Sequence, residues 1–252
     1  MSEIAARAGD QPRVLMRRLT LMHAVLYGLG VTIGAGIYVL VGVAAGRSGM
    51  HAPIAFALAA LIMGLSAASF AELGTRMPVS ASEAAYVEKA FNRRWFSLLT
   101  GLLVIITAVV SAATISAGSA GVFLPWEPTW IITGVVLTMG LIACLATVHS
   151  ISFAGAMTLI EVAGLVLIVA AGLSQGSALV TRLPEMWPGW ALSGWTGIAS
   201  TALIAVFAFI GFEHLVNIAE EMKSPSWTLP RALLLTLGLT AVIYSLVVWV
   251  AV

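Results

Sequence analysis

Charge is scarce in this sequence. Its 12 Lys and Arg residues and 11 Asp and Glu residues make up 9% of the 252 positions, whereas soluble chains carry about 25%. Hydrophobic residues account for 60%, and a soluble fold of this length could not bury that much apolar surface. The net charge of +1 also provides no basic field for nucleic acid. The composition therefore excludes a soluble domain and predicts an all-α, polytopic membrane helix bundle that has the lipid bilayer as its main partner.

Cysteine and catalytic motifs are scarce as well. The single cysteine, Cys144, lies in an apolar run, which excludes a disulfide framework or a zinc cluster within one chain. The sequence contains no nucleophile elbow, no phosphate loop and no His-Glu-x-x-His pair. The four histidines are too scattered to predict a metal site: His23, His51, His149 and His214. We therefore expect no cofactor, no metal and no enzymatic activity.

Apolar runs predict seven spanning helices, because each run is close to the roughly 20 residues that cross a bilayer. They lie at about 21–45, 53–73, 95–123, 130–148, 153–173, 195–215 and 229–252. Residues 1–20 are polar and lack a short apolar region followed by a cleavage site, which argues against a cleaved signal peptide. They are predicted to form an N-terminal tail, and residues 21–252 a transmembrane domain.

Lys and Arg residues are distributed unevenly across this topology. Two of them, Arg47 and Arg182, lie on one side and the other ten on the opposite side. Cytoplasmic loops carry the excess of Lys and Arg. The distribution therefore predicts a cytoplasmic N-terminus. The expected location of this integral membrane protein is a bacterial plasma (inner) membrane.

Glycine interrupts two of the predicted spans. The sixth span contains Gly211, and the first contains four glycines: Gly28, Gly30, Gly34 and Gly36. Such a helix can unwind where its freed backbone groups line a polar cavity, but glycines also permit close helix packing. Both interpretations stay open for the first span, and the second interruption favours unwinding.

Paired broken helices hold the substrate in inverted-repeat transporters. The positive half-helix end meets an anionic group, and unwound carbonyls meet a cation. We therefore predict that the first break gives N–H donors to a carboxylate and the second gives carbonyls to an ammonium group, as a zwitterionic amino acid requires. The predicted substrate-binding residues are Thr32, Ile33, Gly34, Ala35 and Gly36, with Phe207, Ala208, Phe209, Ile210 and Gly211.

Two carboxyl groups within the spans are proton-coupling candidates, because ionisable residues at membrane depth are costly and mark function. Glu161, in the fifth span, is predicted either to carry a proton or to reach water or a neighbouring hydroxyl. Glu213, just after the second break, is predicted to gate, to titrate or to hydrogen-bond the unwound backbone.

Several segments resemble motifs of the amino acid–polyamine–organocation permeases. They are Thr32-Ile-Gly-Ala-Gly-Ile-Tyr38, Phe70-Ala-Glu-Leu-Gly-Thr-Arg-Met-Pro78, Phe207-Ala-Phe-Ile-Gly-Phe-Glu213, Ala219-Glu-Glu-Met-Lys-Ser-Pro225 and Leu229-Pro-Arg231. They occur in the family's order over most of the chain. The resemblance implies a secondary transporter that moves amino acids or related amines by alternating access, with proton coupling or exchange.

The resemblance also implies an inverted-repeat (5+5) fold, with a first five-helix repeat at about 21–173 and the start of a second at about 195–252. It implies a substrate site between helices one and six. The residues it assigns to the substrate carboxylate are Thr32, Ala35 and Gly36, and those it assigns to the amino group and side chain are Phe207, Ala208 and Ile210.

The sequence departs from the family pattern in three respects. Glu161 stands where proton-coupled relatives often have lysine, and Thr107 where relatives that take cationic amino acids have an acidic residue, which favours a neutral substrate. The family has about twelve helices, so we expect a fold truncated after helix seven whose C-terminal half is missing or supplied by a second chain. The alternatives to a complete transporter are a transport-inactive fragment or partner-dependent subunit, and a membrane sensor or channel subunit.

Overall fold

The structure, a computed structural model, describes residues 17–80, 82–120, 128–144, 147–174, 181–190 and 192–252. The α-helices in these ranges are α1 (Leu21–Thr32), α2 (Ala35–Ser48), α3 (Ala52–Arg76), α4 (Ser82–Phe91), α5 (Arg94–Ala120), α6 (Pro128–Ala143), α7 (Thr147–Ser174), α8 (Leu192–Phe209) and α9 (Pro225–Ala251). Short 3₁₀ helices cover Gly49–His51, Leu183–Met186 and Phe212–Glu221. The prediction of an all-α fold is confirmed.

Five described stretches are long and apolar enough to cross a membrane. They are Gly36–Arg76, Arg94–Thr114, Ser150–Ser174, Gly194–Glu221 and Pro225–Ala251. Two shorter apolar helices, Leu21–Thr32 and Thr129–Ala143, accompany them. All seven predicted segments are thus largely helical where the structure describes them, while the number of membrane crossings stays a prediction.

Helix boundaries differ from the sequence prediction in two places. The fourth predicted span was extended to Val148, but α6 ends at Ala143 and Thr147 already begins α7. The segment between the second and third predicted spans falls outside every apolar run, yet it contains the ten-residue helix α4. Its apolar and charged residues alternate at helical spacing over too short a run to resemble a span. The predicted end of the third span, Phe123, lies outside the described residues.

The buried core lies where α1, α3, α8 and α9 meet. α9 contacts α3 and α1, and α8 also contacts α3. Three fully buried aromatic side chains, Phe56, Phe209 and Tyr244, join these helices, with ring centroids 5.3, 6.0 and 6.5 Å apart. Such tilted and edge-on pairs contribute about 0.5–1.5 kcal/mol each beyond burial. The cluster fixes α9 against the point where α1 ends.

A short backbone pairing ties the start of α1 to the end of the Phe212–Glu221 helix. The Leu19 N–H donates to the Glu221 carbonyl, and the Lys223 N–H donates to the Leu19 carbonyl, both at 2.9 Å. Leu19 and Met222 form an isolated bridge there, and both side chains are fully buried. The two interrupted segments of the chain are therefore held together at one end of the bundle.

Helix α5 lies at the edge of the bundle. It contacts α4 and α6, and its apolar stretch Arg94–Thr114 contains no buried residue. A large exposed apolar surface of this kind marks contact with a membrane or a partner. The exposed side of α5 is therefore a surface for lipid or for further protein.

Close packing between α1 and α9 gives a stability prediction. A Cβ on Gly28 would overlap the Thr236 hydroxyl, and it would also lie 2.9 Å from Leu215 Cδ1 and 3.1 Å from Thr236 Cγ2. Thr236 and Leu215 would both have to move, so Gly28→Ala should destabilise the fold by about 1–3 kcal/mol. Thermal unfolding of the detergent-solubilised chain measures this.

Gly42→Ala is the matched control, since a Cβ at Gly42 in α2 meets nothing within 4 Å. Its gain in helix propensity should raise stability by up to about 1 kcal/mol. A Gly28→Ala variant that melts at the same temperature as Gly42→Ala, or above it, would contradict the packing described for α1 and α9.

Candidate functional site

The first interrupted segment breaks between Thr32 and Ala35. Ile33 and Gly34 are both extended there, and α2 begins anew at Ala35. The end of α1 is held by its own last turn, where the Thr32 hydroxyl donates to the Gly28 carbonyl at 2.7 Å and the Ile33 N–H to the Leu29 carbonyl at 2.6 Å. The break leaves the Thr32 carbonyl without a helical partner, because the chain no longer continues in a helix beyond it.

Tyr244 of α9 supplies that missing partner. Its hydroxyl donates to the Thr32 carbonyl at 3.0 Å, and its side chain is fully buried. The hydroxyl also faces the backbone N–H of Gly34. Tyr244 therefore bridges the two ends of the break. Sequence reasoning missed this residue, although a lone tyrosine in the apolar seventh span was a usable signal.

The second break lies between α8 and the Phe212–Glu221 helix. Gly211 has φ 128°, a conformation that strongly favours glycine. Its N–H donates to Glu213 Oε2 at 2.8 Å, and its carbonyl accepts from the His214 N–H at 3.0 Å. Of the roles considered for Glu213, the structure thus shows a hydrogen bond to the unwound backbone.

The two breaks touch each other. A Cβ on Gly211 would overlap the carbonyl oxygen of Val31 and lie 2.9 Å from its carbon and 3.3 Å from Thr32 Cα. Glycine is therefore required at position 211 for two reasons. One is its positive φ, and the other is the close approach of the Val31 backbone. The contact brings together two segments that are about 180 residues apart along the chain.

The predicted binding residues divide by exposure around this contact. Those buried are Thr32, Ile33, Ala208, Phe209 and Gly211, and Gly34 is half-buried. Those exposed are Gly36, Phe207 and Ile210, with Phe207 at 69% and Ile210 at 44%. The backbone of Ala35 opens α2. The buried residues pack around the two breaks, whereas the exposed ones are accessible.

Glu161 and Glu213 lie in different surroundings. Glu161 is half-buried in α7 and lies close enough to Tyr38 and Tyr244 to interact with them electrostatically. Glu213 is held by Gly211. Among the described residues, no three His, Cys, Asp or Glu side chains are grouped so as to hold a metal ion.

Residues 19–252 match the family described as amino acid permease. The chain belongs to the amino acid permease family. The resemblance inferred from the motifs is confirmed, and because these permeases are transporters, the expectation that the chain is not an enzyme is confirmed as well.

Three relatives illustrate the similarity. An uncharacterized transporter of Mycobacterium bovis is 29% identical over 238 residues, covering 94% of this chain and 53% of that protein. The vacuolar cationic amino acid transporter 2 of Arabidopsis thaliana is 30% identical over 263 residues, covering 92% and 40%. A branched-chain amino acid permease of Bacillus subtilis is 27% identical over 267 residues, covering 96% and 55%. The permease chain described here spans about half the length of the curated relatives it matches.

The bridge made by Tyr244 gives a prediction with a matched control. Tyr244→Phe removes the donor to the Thr32 carbonyl and leaves that group buried without a partner, which should cost about 1–3 kcal/mol. Tyr86→Phe removes another buried hydroxyl, for which the described residues offer no hydrogen-bond partner. That change should be neutral or stabilising.

The two apparent melting temperatures of the solubilised permease chain test this directly. We expect Tyr244→Phe to melt below wild type and Tyr86→Phe at or above it. Equal losses in both variants would show that ring packing, and not the hydrogen bond at the break, is what Tyr244 contributes.

Proposed function

We propose that this chain forms the substrate-binding part of a secondary transporter that moves amino acids or related amines across a membrane by alternating access. The observation that carries the proposal is the contact between the two helix breaks, where Gly211 packs against the Val31 carbonyl. Family membership supports the transport of amino acids in general. Two relatives differ in the substrate class that their names give, which is cationic amino acids for one and branched-chain amino acids for the other.

The first break is the proposed carboxylate site. The opening turn of a helix has N–H groups with no intrahelical acceptor, and the helix dipole adds partial positive charge there. In this chain, that turn is the start of α2, at Ala35 and Gly36. Gly36 is exposed, and a Cβ there would meet nothing within 4 Å, so space is available for a ligand.

Glu213 supports placing the carboxylate at the first break and not at the second. The helix Phe212–Glu221 also begins at a break, but its N-terminal end is already occupied by the Glu213 carboxylate on the Gly211 N–H. A substrate anion would be repelled there. The substrate ammonium group fits this side better, since it gains the carbonyls at the end of α8 and a nearby negative charge.

Phe207 and Ile210 are proposed to contact the substrate side chain. Both are exposed beside the second break, and both are apolar, as a neutral substrate would require. Thr107 in α5 also favours a neutral substrate, because relatives that take cationic amino acids have an acidic residue at that position. We therefore favour a neutral amino acid as substrate.

Glu161 is proposed to carry the coupling proton. It is half-buried and interacts with Tyr244, which itself bridges the first break. Protonation at Glu161 would change the field at that hydroxyl and hence the hydrogen bond to Thr32. This links the proton to the shape of the binding site. The alternative to proton coupling is the exchange of one substrate molecule for another across the membrane.

The proposed arrangement in the membrane follows the charge distribution. The N-terminus and the loops rich in Lys and Arg lie in the cytoplasm, in agreement with the ten-to-two asymmetry. Residues up to about 173 form the first repeat, and those from about 195 begin the second, so that the two breaks fall in the first helix of each repeat. A bacterial plasma membrane is the proposed location.

A second candidate function is that of a subunit which transports only when a further polypeptide covers the exposed side of the breaks. The 69% exposure of Phe207, beside a buried Phe209, favours it. Both candidates predict the same binding site, and they differ in whether the 252-residue chain transports alone.

Uptake by proteoliposomes containing the 252-residue chain tests the proposal, with a panel of labelled amino acids. Gly36→Ala should raise the KM about tenfold, or about 1.4 kcal/mol, because a methyl group obstructs the carboxylate's approach to the α2 backbone. Gly42→Ala, in the same helix and equally unobstructed, is the control and should leave the KM unchanged.

The outcomes separate the two candidates. Binding of an amino acid without uptake would contradict the autonomous transporter and favour the partner-dependent subunit. Absence of binding for every member of the panel would contradict both. Equal effects of the two alanine substitutions would remove the carboxylate site from the start of α2.

The coupling role of Glu161 has its own test. Glu161→Gln should abolish the stimulation of uptake by an imposed pH gradient while exchange of substrate across the membrane continues. Glu185→Gln, at an exposed carboxyl that pairs with Arg182 at 3.1 Å, is the control. Stimulation that survives in Glu161→Gln would exclude Glu161 as the proton carrier.

A further inference from the structure

The helix after the second break is an unusually long 3₁₀ helix, which covers the ten residues Phe212–Glu221. At its start, the His214 N–H donates to the Gly211 carbonyl at 3.0 Å. At its end, the Met222 N–H donates to the Ala219 carbonyl at 3.2 Å. Such runs seldom exceed three or four residues, because their hydrogen-bond geometry is poorer than that of an α-helix. A run of ten therefore needs contacts elsewhere that hold it in this form.

The side chains of this segment suit two helix types. The buried ones form two rows with a spacing of three residues, which are Phe212, Leu215 and Ile218, and Val216, Ala219 and Met222. Half-buried polar residues form the third row, which consists of His214, Asn217 and Glu220. Counted from Phe212, apolar residues also recur at i, i+3, i+4 and i+7, the pattern of an amphipathic α-helix. An α-helix over the same residues would therefore bury nearly the same face.

Contacts hold both ends of the segment. Near the breaks, Gly211 packs against the Val31 carbonyl. At the far end, Glu220 Oε1 accepts a hydrogen bond from the Ser80 N–H at 2.9 Å, and the backbone pairing with Leu19 lies beside it. Ser80 precedes α4 and is 140 residues away along the chain. The bond to Glu220 thus ties the segment to the connection between α3 and α4.

The separation of these two ends depends on the helix type. A 3₁₀ helix rises about 2.0 Å per residue and an α-helix about 1.5 Å, so ten residues would shorten by about 5 Å on conversion. That shift would break the bond between Glu220 and Ser80, because donor and acceptor must lie within about 3.2 Å. The first turn of α9 can follow the movement, since Pro230 lacks the N–H that would bond it to the preceding turn.

We propose that Phe212–Glu221 is a two-state element, which is a 3₁₀ helix while Glu220 holds Ser80 and becomes an α-helix once that bond is released. On release, the segment retracts toward the breaks and opens the end of the bundle at Leu19 and Met222. This end is the cytoplasmic one in the proposed topology. The change of helix type is argued from the segment itself, whereas its use as an inner gate rests on the proposed transport function.

The neighbouring residue Glu221 provides a matched control. Both glutamates are half-buried, but within the described residues the Glu221 side chain makes no hydrogen bond or ion pair. Only its backbone carbonyl is used, as the acceptor for the Leu19 N–H at 2.9 Å. Alanine at either position removes one negative charge and adds the same helix propensity. A difference between the two variants therefore measures the side-chain bond to Ser80.

Solid-state NMR of the bilayer-reconstituted chain, without substrate, measures the helix type. With ¹³C at phenylalanine carbonyls and ¹⁵N at valine, Phe212 and Val216 are the only such pair four residues apart. An α-helix joins these two groups in one hydrogen bond, and a 3₁₀ helix does not. Wild type should therefore show weak dephasing between them, above a constant background from adjacent Val–Phe pairs.

The variants should change this dephasing in a graded way. Glu220→Ala should shift the ratio of α to 3₁₀ conformers toward α about tenfold, or about 1.4 kcal/mol, as expected for the loss of a hydrogen bond to a charged group. Glu220→Gln keeps the acceptor without its charge and should shift the ratio less. Glu221→Ala should match wild type.

Thiol labelling measures the opening itself. In a Cys144→Ser background, Met222→Cys places one thiol at a fully buried position of the closed end. Its rate of reaction with a maleimide follows the population of the open state. Glu220→Ala should raise that rate about tenfold, and Glu221→Ala should leave it unchanged.

Four results would overturn the proposal. They are strong dephasing in wild type, no response to Glu220→Ala, equal responses to Glu220→Ala and Glu221→Ala, and faster labelling without increased dephasing. The last would show that the end opens by a hinge and not by a change of helix type. Both measurements are made without substrate. A failed uptake assay would therefore leave their outcome standing, and their failure would leave the site at the breaks standing.

Discussion

The contact between Gly211 and the Val31 carbonyl is the constraint on which the rest of the structure depends. Two backbones meet there with no side chain between them, because any Cβ at Gly211 would overlap the carbonyl. Lipid offers no hydrogen bonds to unwound backbone, so each break must find partners within the protein. The contact gathers both breaks at one place, where Tyr244 and Glu213 satisfy the freed groups at Thr32 and Gly211.

This arrangement gives the two breaks different electrostatic characters. The N-terminal end of α2, at Ala35 and exposed Gly36, carries partial positive charge and has no side-chain cap. The corresponding end at Phe212 is already capped by the Glu213 carboxylate. A zwitterion placed across the contact would therefore have one preferred direction. Tyr244, which spans the first break, also lies close enough to Glu161 in α7 to interact with it electrostatically.

Composition was sufficient to predict the helical fold, and the two glycine interruptions favoured the two breaks, since apolar length and glycine at membrane depth act locally along the chain. The partner of Tyr244 could not be predicted, because a hydroxyl in an apolar span indicates a cost without indicating which carbonyl satisfies it. Helix α4 was missed because its ten residues lie outside any apolar run. The contact of Gly211 with Val31 could be found only in the three-dimensional structure, because nothing in the local sequence of either segment specifies the other.

The most direct measurement of the central claim is solid-state NMR dephasing between a bound amino acid labelled with ¹³C at its carboxyl carbon and protein labelled with ¹⁵N at glycine. The ligand is the tightest-binding member of the amino acid panel. The account predicts clear dephasing by a glycine amide, lost when Gly36→Ala removes the label from the start of α2. Retained binding with no dephasing in wild type, or dephasing unchanged in Gly36→Ala, would contradict a carboxylate held at the first break.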